Sequence, residues 1–525
     1  TYFTIPNDSF GGLVRNVTIR NTGRSAKKLQ IIDGLPQIVP FGTNNWCLKE
    51  MSRTIEAWNK VDNMEHNVPF YRLAVDPADR PEVVHITEGN FYAGFQNING
   101  TNKLIRPIID PQTVFGQNTD FSCPHAFLEN KIFKQPSQEA FASKTPSALL
   151  LLDVTLPAGQ SKTFHAVAGY MRNIGLLNTS VKKMLSQNYL ETKRAENRAC
   201  IDSLQNDLAT KSSSLAFDLY AKQTYLDNIM RGGYPITFRP GATFYLYSRK
   251  HGDLEGDYNK FSSQPAYFSQ GNGNYRVVNQ NRRCDTWFNP DIQDENVIFF
   301  FNLLQLDGYN PLVVKGASFL VKDMPKCKAA IKPVVTAGAI ETLFLYLEKP
   351  FTPGEIIIWL EDNGIKLSVS NDTFLNTLMQ FSEKIQEAEH SEGFWSDHWT
   401  YNLDILENYL AVFPEHETQI LFEKKVFTYF DNVECVKPRH EKFTLHNGTV
   451  KQLHSVHADA SKKEIIKKRS EAPHSVRTSG GTGPVYKTNL IKKLINLFTN
   501  KLSLLDPEGV GIEMEADKPN WYDSL

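Results

Sequence analysis

Cysteine is scarce in this chain: six residues in 525, at Cys47, Cys123, Cys200, Cys284, Cys327 and Cys435, with no Cys-X-X-Cys pair among them. Spacing that wide excludes a disulfide-stapled scaffold and a zinc ribbon, and it leads us to expect a reducing, cytoplasmic setting. No apolar run approaches the ~20 residues that a bilayer-crossing helix needs, so no membrane partner is expected. An excess of one charge is missing as well. Lys and Arg number 57 against 58 Asp and Glu, a net charge of −1, so the global basic field of a nucleic-acid binder is absent and no nucleic-acid partner is expected. Six Asn-X-Ser/Thr triplets begin at Asn7, Asn16, Asn99, Asn178, Asn371 and Asn447, and no signal peptide is expected to accompany them. The chain opens at Thr1 in a strand-like pattern and stops at Trp521-Tyr522-Asp523-Ser524-Leu525 without a polar tail, ends expected of a fragment.

What remains is an ordinary globular composition, 41% hydrophobic and 22% charged, at the length of about three and a half domains of roughly 150 residues. Residues 1–175 carry short alternating segments such as Leu13-Val14-Arg15-Asn16-Val17-Thr18-Ile19-Arg20, broken by Gly, Pro and Asn-Gly. That pattern predicts a β-sandwich domain, with its clearest hairpin made by 148–156 and 162–170 around Pro157-Ala158-Gly159. Over 176–230 apolar residues recur three or four apart, which predicts a helical linker. Helices are predicted at 294–306, 353–364 (opening on Thr352-Pro353-Gly354-Glu355), 373–389, 401–413 and 415–430. Helices joined by long polar loops make 231–525 read as a helical barrel. Residues 437–489 are basic and weakly periodic, and read as a long, partly mobile excursion.

Four polar stretches carry the chemistry. In Tyr247-Ser248-Arg249-Lys250-His251-Gly252-Asp253-Leu254-Glu255-Gly256-Asp257-Tyr258, three cationic-capable side chains precede three acids. They are solvated, self-paired or turned to a polar ligand. In Gln270-Gly271-Asn272-Gly273-Asn274-Tyr275-Arg276 and the following Val277-Val278-Asn279-Gln280-Asn281-Arg282-Arg283, the Asn, Gln and Arg side chains suit sugar hydroxyls. The bland alternative is a Gly-Asn turn and an amphipathic helix. Trp395-Ser396-Asp397-His398-Trp399-Thr400-Tyr401-Asn402 sets aromatic rings beside a carboxylate and an imidazole, as a sugar platform or a core corner would. Glu513-Met514-Glu515-Ala516-Asp517-Lys518-Pro519-Asn520-Trp521-Tyr522-Asp523 gathers four carboxylates, an environment that separates carboxyl pKa values or, more plainly, an acidic surface turn. Two patterns fail: Gly480-Gly481-Thr482-Gly483-Pro484 lacks the Gly-Lys-Ser/Thr ending of a phosphate loop, and His454 with His457 has no third metal ligand. No metal and no organic cofactor are expected.

In this order, these motifs resemble those of inverting glycoside phosphorylases related to cellobiose phosphorylase, most of all the β-1,3-oligoglucan phosphorylases. The resemblance spans essentially the whole chain. It implies a multidomain β plus α fold: an N-terminal β-sandwich, a helical linker, and an (α/α)6 barrel that is truncated at the C-terminus here. It implies reversible inverting phosphorolysis of β-glucan oligosaccharides to α-glucose 1-phosphate, with inorganic phosphate as co-substrate and homodimers as a common state. Asp523, in Trp521-Tyr522-Asp523, takes the place of the family's general acid, with Tyr522 where Asn is more frequent. Substrate contacts are implied at Arg276, Gln280, Asn281, Trp395, Asp397, His398, Trp399, Asp517, Lys518 and Trp521. Val277 and Asn281 replace two acids of the cellobiose branch. Arg249, Lys250, Arg282 and Arg283 are the phosphate-binding candidates. One rival is a hydrolase on the same barrel, with Asp397 or Asp404 as its base. The other is a non-catalytic carbohydrate-binding protein.

Overall fold

A computed structural model describes residues 1–44, 46–130, 132–186, 188–246, 262–263, 267–335, 340–389, 398–441, 443–452 and 456–502. The chain is a mixed α/β protein that divides into two units, Thr1–Leu204 and Gln205–Leu525.

In the first unit the alternating stretches form β1 (Tyr2–Thr4), β2 (Gly11–Arg20), β3 (Lys27–Leu35), β4 (Asn59–Asp62), β5 (Phe70–Leu73), β6 (Gly89–Ile98), β7 (Thr101–Ile105), β8 (Ala148–Leu156) and β9 (Ser161–Met171). Seven of them make one antiparallel sheet in the order β1-β2-β9-β6-β5-β4, with β7 also on β6, while β3 and β8 form a separate ribbon. The period of two decides the layers. From β6, Phe91, Ala93 and Phe95 face Leu177, Val181 and Met184 of the Ile174–Met184 helix, whereas Tyr92 faces Leu150, Leu152 and Val154 of the ribbon. Leu149 is buried on the ribbon's far side with Ile108, Val114, Phe115 and Phe133. That double cover explains the unbroken leucine run in β8.

The hairpin expected from 148–156 and 162–170 does not form. Both strands exist, but β8 pairs with β3 and β9 with β2 and β6, so Pro157–Gln160 is an arch between layers. The same step occurs between β2 and β3. Asn21 ties the two arches together: its backbone N–H donates to Gln160 O at 2.9 Å, its carbonyl accepts from Gly159 N at 2.9 Å, and its side-chain amide donates to Leu156 O at 2.8 Å.

In the second unit β10 (Tyr234–Thr237) pairs with β11 (Thr243–Leu246), and β12 (Ser262–Ser263), β13 (Gly271–Asn274), β14 (Val313–Val321) and β15 (Ser382–Glu389) make a four-stranded antiparallel sheet. β14 feeds two cores. Ala317, Phe319 and Val321 pack with the Pro353–Asp362 and Asn371–Met379 helices, and Val314 packs with Tyr275, Phe300, Leu406 and Leu490. Among the described residues no closed barrel is formed; a sheet stands where helices alone were expected. The 373–389 segment is a helix only to Met379, since Ser382–Glu389 pairs with β14 and strand pairing overrides its Glu- and Lys-rich composition. The 415–430 helix reduces to two short turns, Pro414–His416 and Gln419–Glu423, followed by extended chain whose Phe427 bridges to Thr488. Thr352 does open a helix: its hydroxyl accepts from Glu355 N, and the Glu355 carboxylate accepts from Thr352 N.

The helical stretch expected as a linker over 176–230 contributes to both units. Its first helix packs on the seven-stranded sheet, and Leu215–Gly232 packs on the Tyr275–Arg282 helix, with Asn228 Nδ2 donating to Asn281 O at 2.8 Å. The described part of 437–489 forms β19 (Val456–Ala458), which pairs with the preceding β16 (Glu434–Val436), a hairpin of β17 (Phe443–His446) and β18 (Thr449–Gln452) turning at Asn447-Gly448, and the Ala460–Lys467 helix. Asn447 and Gly448 both hold positive φ, 50° and 80°, as that two-residue turn requires.

Candidate functional site

The Gly-Asn-rich stretch enters as β13 and turns into the 275–282 helix at Asn274, whose side chain accepts from Val277 N at 3.3 Å. Helical spacing then separates the polar residues that the sequence presents as one group. Tyr275, Val278, Asn279 and Arg282 are buried; Arg276 and Asn281 are half-buried, and Gln280 is exposed. Arg276, Gln280 and Arg283, at steps of four and three, share the outward face.

The inward face is a polar network. Asn402 Oδ1 accepts from Asn279 Nδ2 at 2.5 Å and from the Tyr275 hydroxyl at 2.9 Å. His398, fully buried, meets Asn310 Oδ1 through Nδ1 at 3.0 Å and packs against the Tyr275 ring. Asn279 Oδ1 and Asn402 Nδ2 are buried and lack a hydrogen-bond partner among the described residues. Arg282 donates from Nε to Gly232 O at 2.7 Å and lies 3.4 Å above the Tyr245 ring. Tyr245 donates to Asp285 Oδ2 at 3.1 Å and accepts from Asn296 Nδ2 at 2.7 Å. Burial pushes the Asp285 carboxyl up to about 7, against the pull of the Arg282 charge and the Tyr245 hydroxyl.

Outward, Arg283 Nη1 pairs with Asp404 Oδ2 at 2.8 Å, and its guanidinium sits 5.7 Å from the Tyr401 ring centre. Beside this pair Trp287 is 52% exposed, with its indole N–H donating to Asn408 Oδ1 at 2.7 Å; Asn408 Nδ2 in turn donates to Asp404 O. An indole pinned at its polar edge presents a fixed apolar surface.

No protein-family model matches the chain, and no curated protein matches it.

Of the expected sugar contacts, Arg276 and Gln280 therefore lie on the open face, whereas His398 is walled into the core. Trp399 is half-buried against that core, close to Gly308. Asn281 turns back on its own helix, donating to Val277 O at 2.7 Å. Among the phosphate candidates Arg282 is consumed by structure and Arg283 is paired with Asp404, one of the two bases offered for the hydrolase rival. Arg249, Lys250, Trp395, Asp397, Asp517, Lys518, Trp521 and Asp523 lie outside the described residues. Among the described residues no three His, Cys, Asp or Glu side chains gather as metal ligands, and no helix is long and apolar enough to cross a membrane. Trp287, Asn408 and Tyr245 are the residues that sequence reasoning misses. The available signal for Trp287 was its position four residues after Arg283, in the short Asp285–Phe288 helix that follows.

Proposed function

We propose that this protein is an inverting β-glucan phosphorylase, acting on β-1,3-linked oligosaccharides in the cytoplasm, with the second unit belonging to an (α/α)6 barrel and the first to a β-sandwich. The observation that carries the reading is exposed, edge-anchored Trp287, on the short Asp285–Phe288 helix, linked through Asn408 to the Arg283–Asp404 pair that follows the 275–282 helix, whose outward face holds Arg276 and Gln280. A flat apolar ring flanked by fork-shaped donors and amides matches the two sides of a pyranose, its C–H face and its hydroxyl rim. Asp404, one of the two candidate bases of a hydrolase, is tied to Arg283, which supports a phosphorylase, a reaction that needs an acid and no water-activating base.

In this reading a phosphate oxygen attacks the anomeric carbon from the face opposite the leaving group. The glycosidic C–O bond breaks, its electron pair goes to the departing oxygen, and Asp523 gives that oxygen its proton. The products are α-glucose 1-phosphate and a glucan shorter by one unit. The test is incubation with laminari-oligosaccharides, with and without inorganic phosphate, with glucose 1-phosphate and free glucose assayed separately. Glucose 1-phosphate formed only in the presence of phosphate is the expected result; glucose released regardless of phosphate, or no product from any β-glucan, would overturn it.

A further inference from the structure

A cavity of about 370 Å3 in the second unit is lined by three cations, Lys462, Arg469 and Arg477, and by Gln305, Asp307 and Asp431 among others. Its size falls within the range of about 300–1,000 Å3 typical of small-molecule sites. Four side chains arrive from three separate segments: Gln305 follows the Glu295–Asn302 helix, Lys462 and Arg469 come from the Ala460–Lys467 helix and its end, and Arg477 opens the Ser479-Gly480-Gly481 turn.

The hydrogen bonds within the wall are uneven. Asp431 holds both Lys462, at 3.1 Å, and Arg469, at 2.8 Å. Arg469, whose side chain is 6% exposed, also donates from Nη1 to Pro473 O and Ser475 O. Arg477 donates to the carbonyls of Gly483 and Glu471 and meets no carboxylate among the described residues. Both guanidinium Nε atoms are buried and lack a hydrogen-bond partner among the described residues, as does Gln305 Oε1. The Gln305 amide orientation is fixed, because its Nε2 donates to Asp307 Oδ1 at 3.2 Å and to Glu434 O at 2.9 Å. Asp307 is spent on Gln305 and on the backbone N–H groups of Tyr309 and Val436. Gly481, at φ 95°, brings its backbone against Arg469, where an added Cβ would stand 3.3 Å from Nη2. Three cations against two carboxylates leave the wall one charge positive, with two idle donors and one idle acceptor.

Buried donors on arginine without an acceptor are costly, and an oxyanion satisfies them with bidentate geometry. We infer that this cavity binds a small polyol bearing an oxyanion group, the phosphate or carboxylate against Arg469 and Arg477 and a hydroxyl donating to Gln305 Oε1. The site uses none of the residues assigned to the glucan, and the inference does not depend on the phosphorylase reading.

The probes are glucose 6-phosphate, gluconate, inorganic phosphate and glucose, titrated calorimetrically into the whole chain; the first two separate a phosphate source from a carboxylate source, and neither is a product of the proposed reaction. Saturable binding of glucose 6-phosphate or gluconate, weakened roughly tenfold or more by Arg477→Met, is expected. Gln305→Leu should weaken the polyol anions while leaving inorganic phosphate unchanged. Hydrogen exchange on the unaltered protein gives a second readout that no misfolded variant can obscure: the bound anion should slow amides in 462–481. Absence of binding by both polyol anions, unchanged affinity in a folded Arg477→Met protein, or no protection of 462–481 would each overturn the inference.

Discussion

Asp285 shows how a buried carboxyl writes itself into pH dependence. Burial holds its pKa at about 7, above the unfolded value of about 4. Between those values the folded chain keeps a proton that the unfolded chain has released. The stability contributed by this group is therefore present below about pH 4 and is lost as pH rises to about 7, at up to about 1.4 kcal/mol per pH unit. Asp285→Asn cannot titrate, so it should gain stability relative to the unaltered protein when urea unfolding is repeated at pH 8 instead of pH 5. A constant difference across that window would refute the assignment. Asn402 accepts two hydrogen bonds in the core: Asn402→Ala leaves the Asn279 amide without its acceptor and the Tyr275 hydroxyl with the Phe300 carbonyl at 3.2 Å, at a cost of about 1–3 kcal/mol. Tyr275→Phe removes one donor cleanly and should cost less, about 1 kcal/mol in the same measurement.

Elements are held by what passes between them. Gly94 lies where β6 meets the ribbon, and a methyl group built on it would collide with the Leu150 side chain. Gly94→Ala should lower stability by about 1–3 kcal/mol through overpacking, and Gly94→Ala combined with Leu150→Ala should cost less than the sum of the two separate losses. If the two substitutions simply add, the layers do not touch there. Asn21 performs the complementary task at the arches, where its side chain satisfies the Leu156 carbonyl. Asn21→Ala is expected to cost about 1–3 kcal/mol and to speed hydrogen exchange in 157–171 more than in β5. Uniform exchange throughout the first unit would contradict that role.

For the whole molecule, the proposed reaction divides labour between an acid and a sugar platform, and variants should separate the two kinetically. Asp523→Asn should lower kcat by roughly 100-fold or more with little change in KM, the mark of a proton needed only in the transition state. Trp287→Ala should raise the KM for oligosaccharide with a smaller change in kcat, because stacking is felt by bound substrate and transition state alike. Equal kcat losses in both would mean that Trp287 is not a binding platform.

Local features of this chain were legible in order. The alternating stretches of 1–175 became strands, Thr352 became a cap, and the Gly-Asn stretch led into the 275–282 helix, because each depends on residues within a few positions of one another. Parts of the candidate site were legible in the same way: Arg276 and Gln280 reach the open face through spacing alone. Other properties were set by partners far along the chain. The separation of β8 from β9, the strand state of 382–389, the burial of His398 and the meeting of Gln305, Asp431, Lys462, Arg469 and Arg477 around one cavity all rest on contacts between distant segments. Which residues could form strands, helices, caps and turns follows from residue order alone, since those preferences are local. Tertiary structure alone decided which strands pair and which polar side chains are walled in, since pairing and burial exist only once remote segments exclude water from one another.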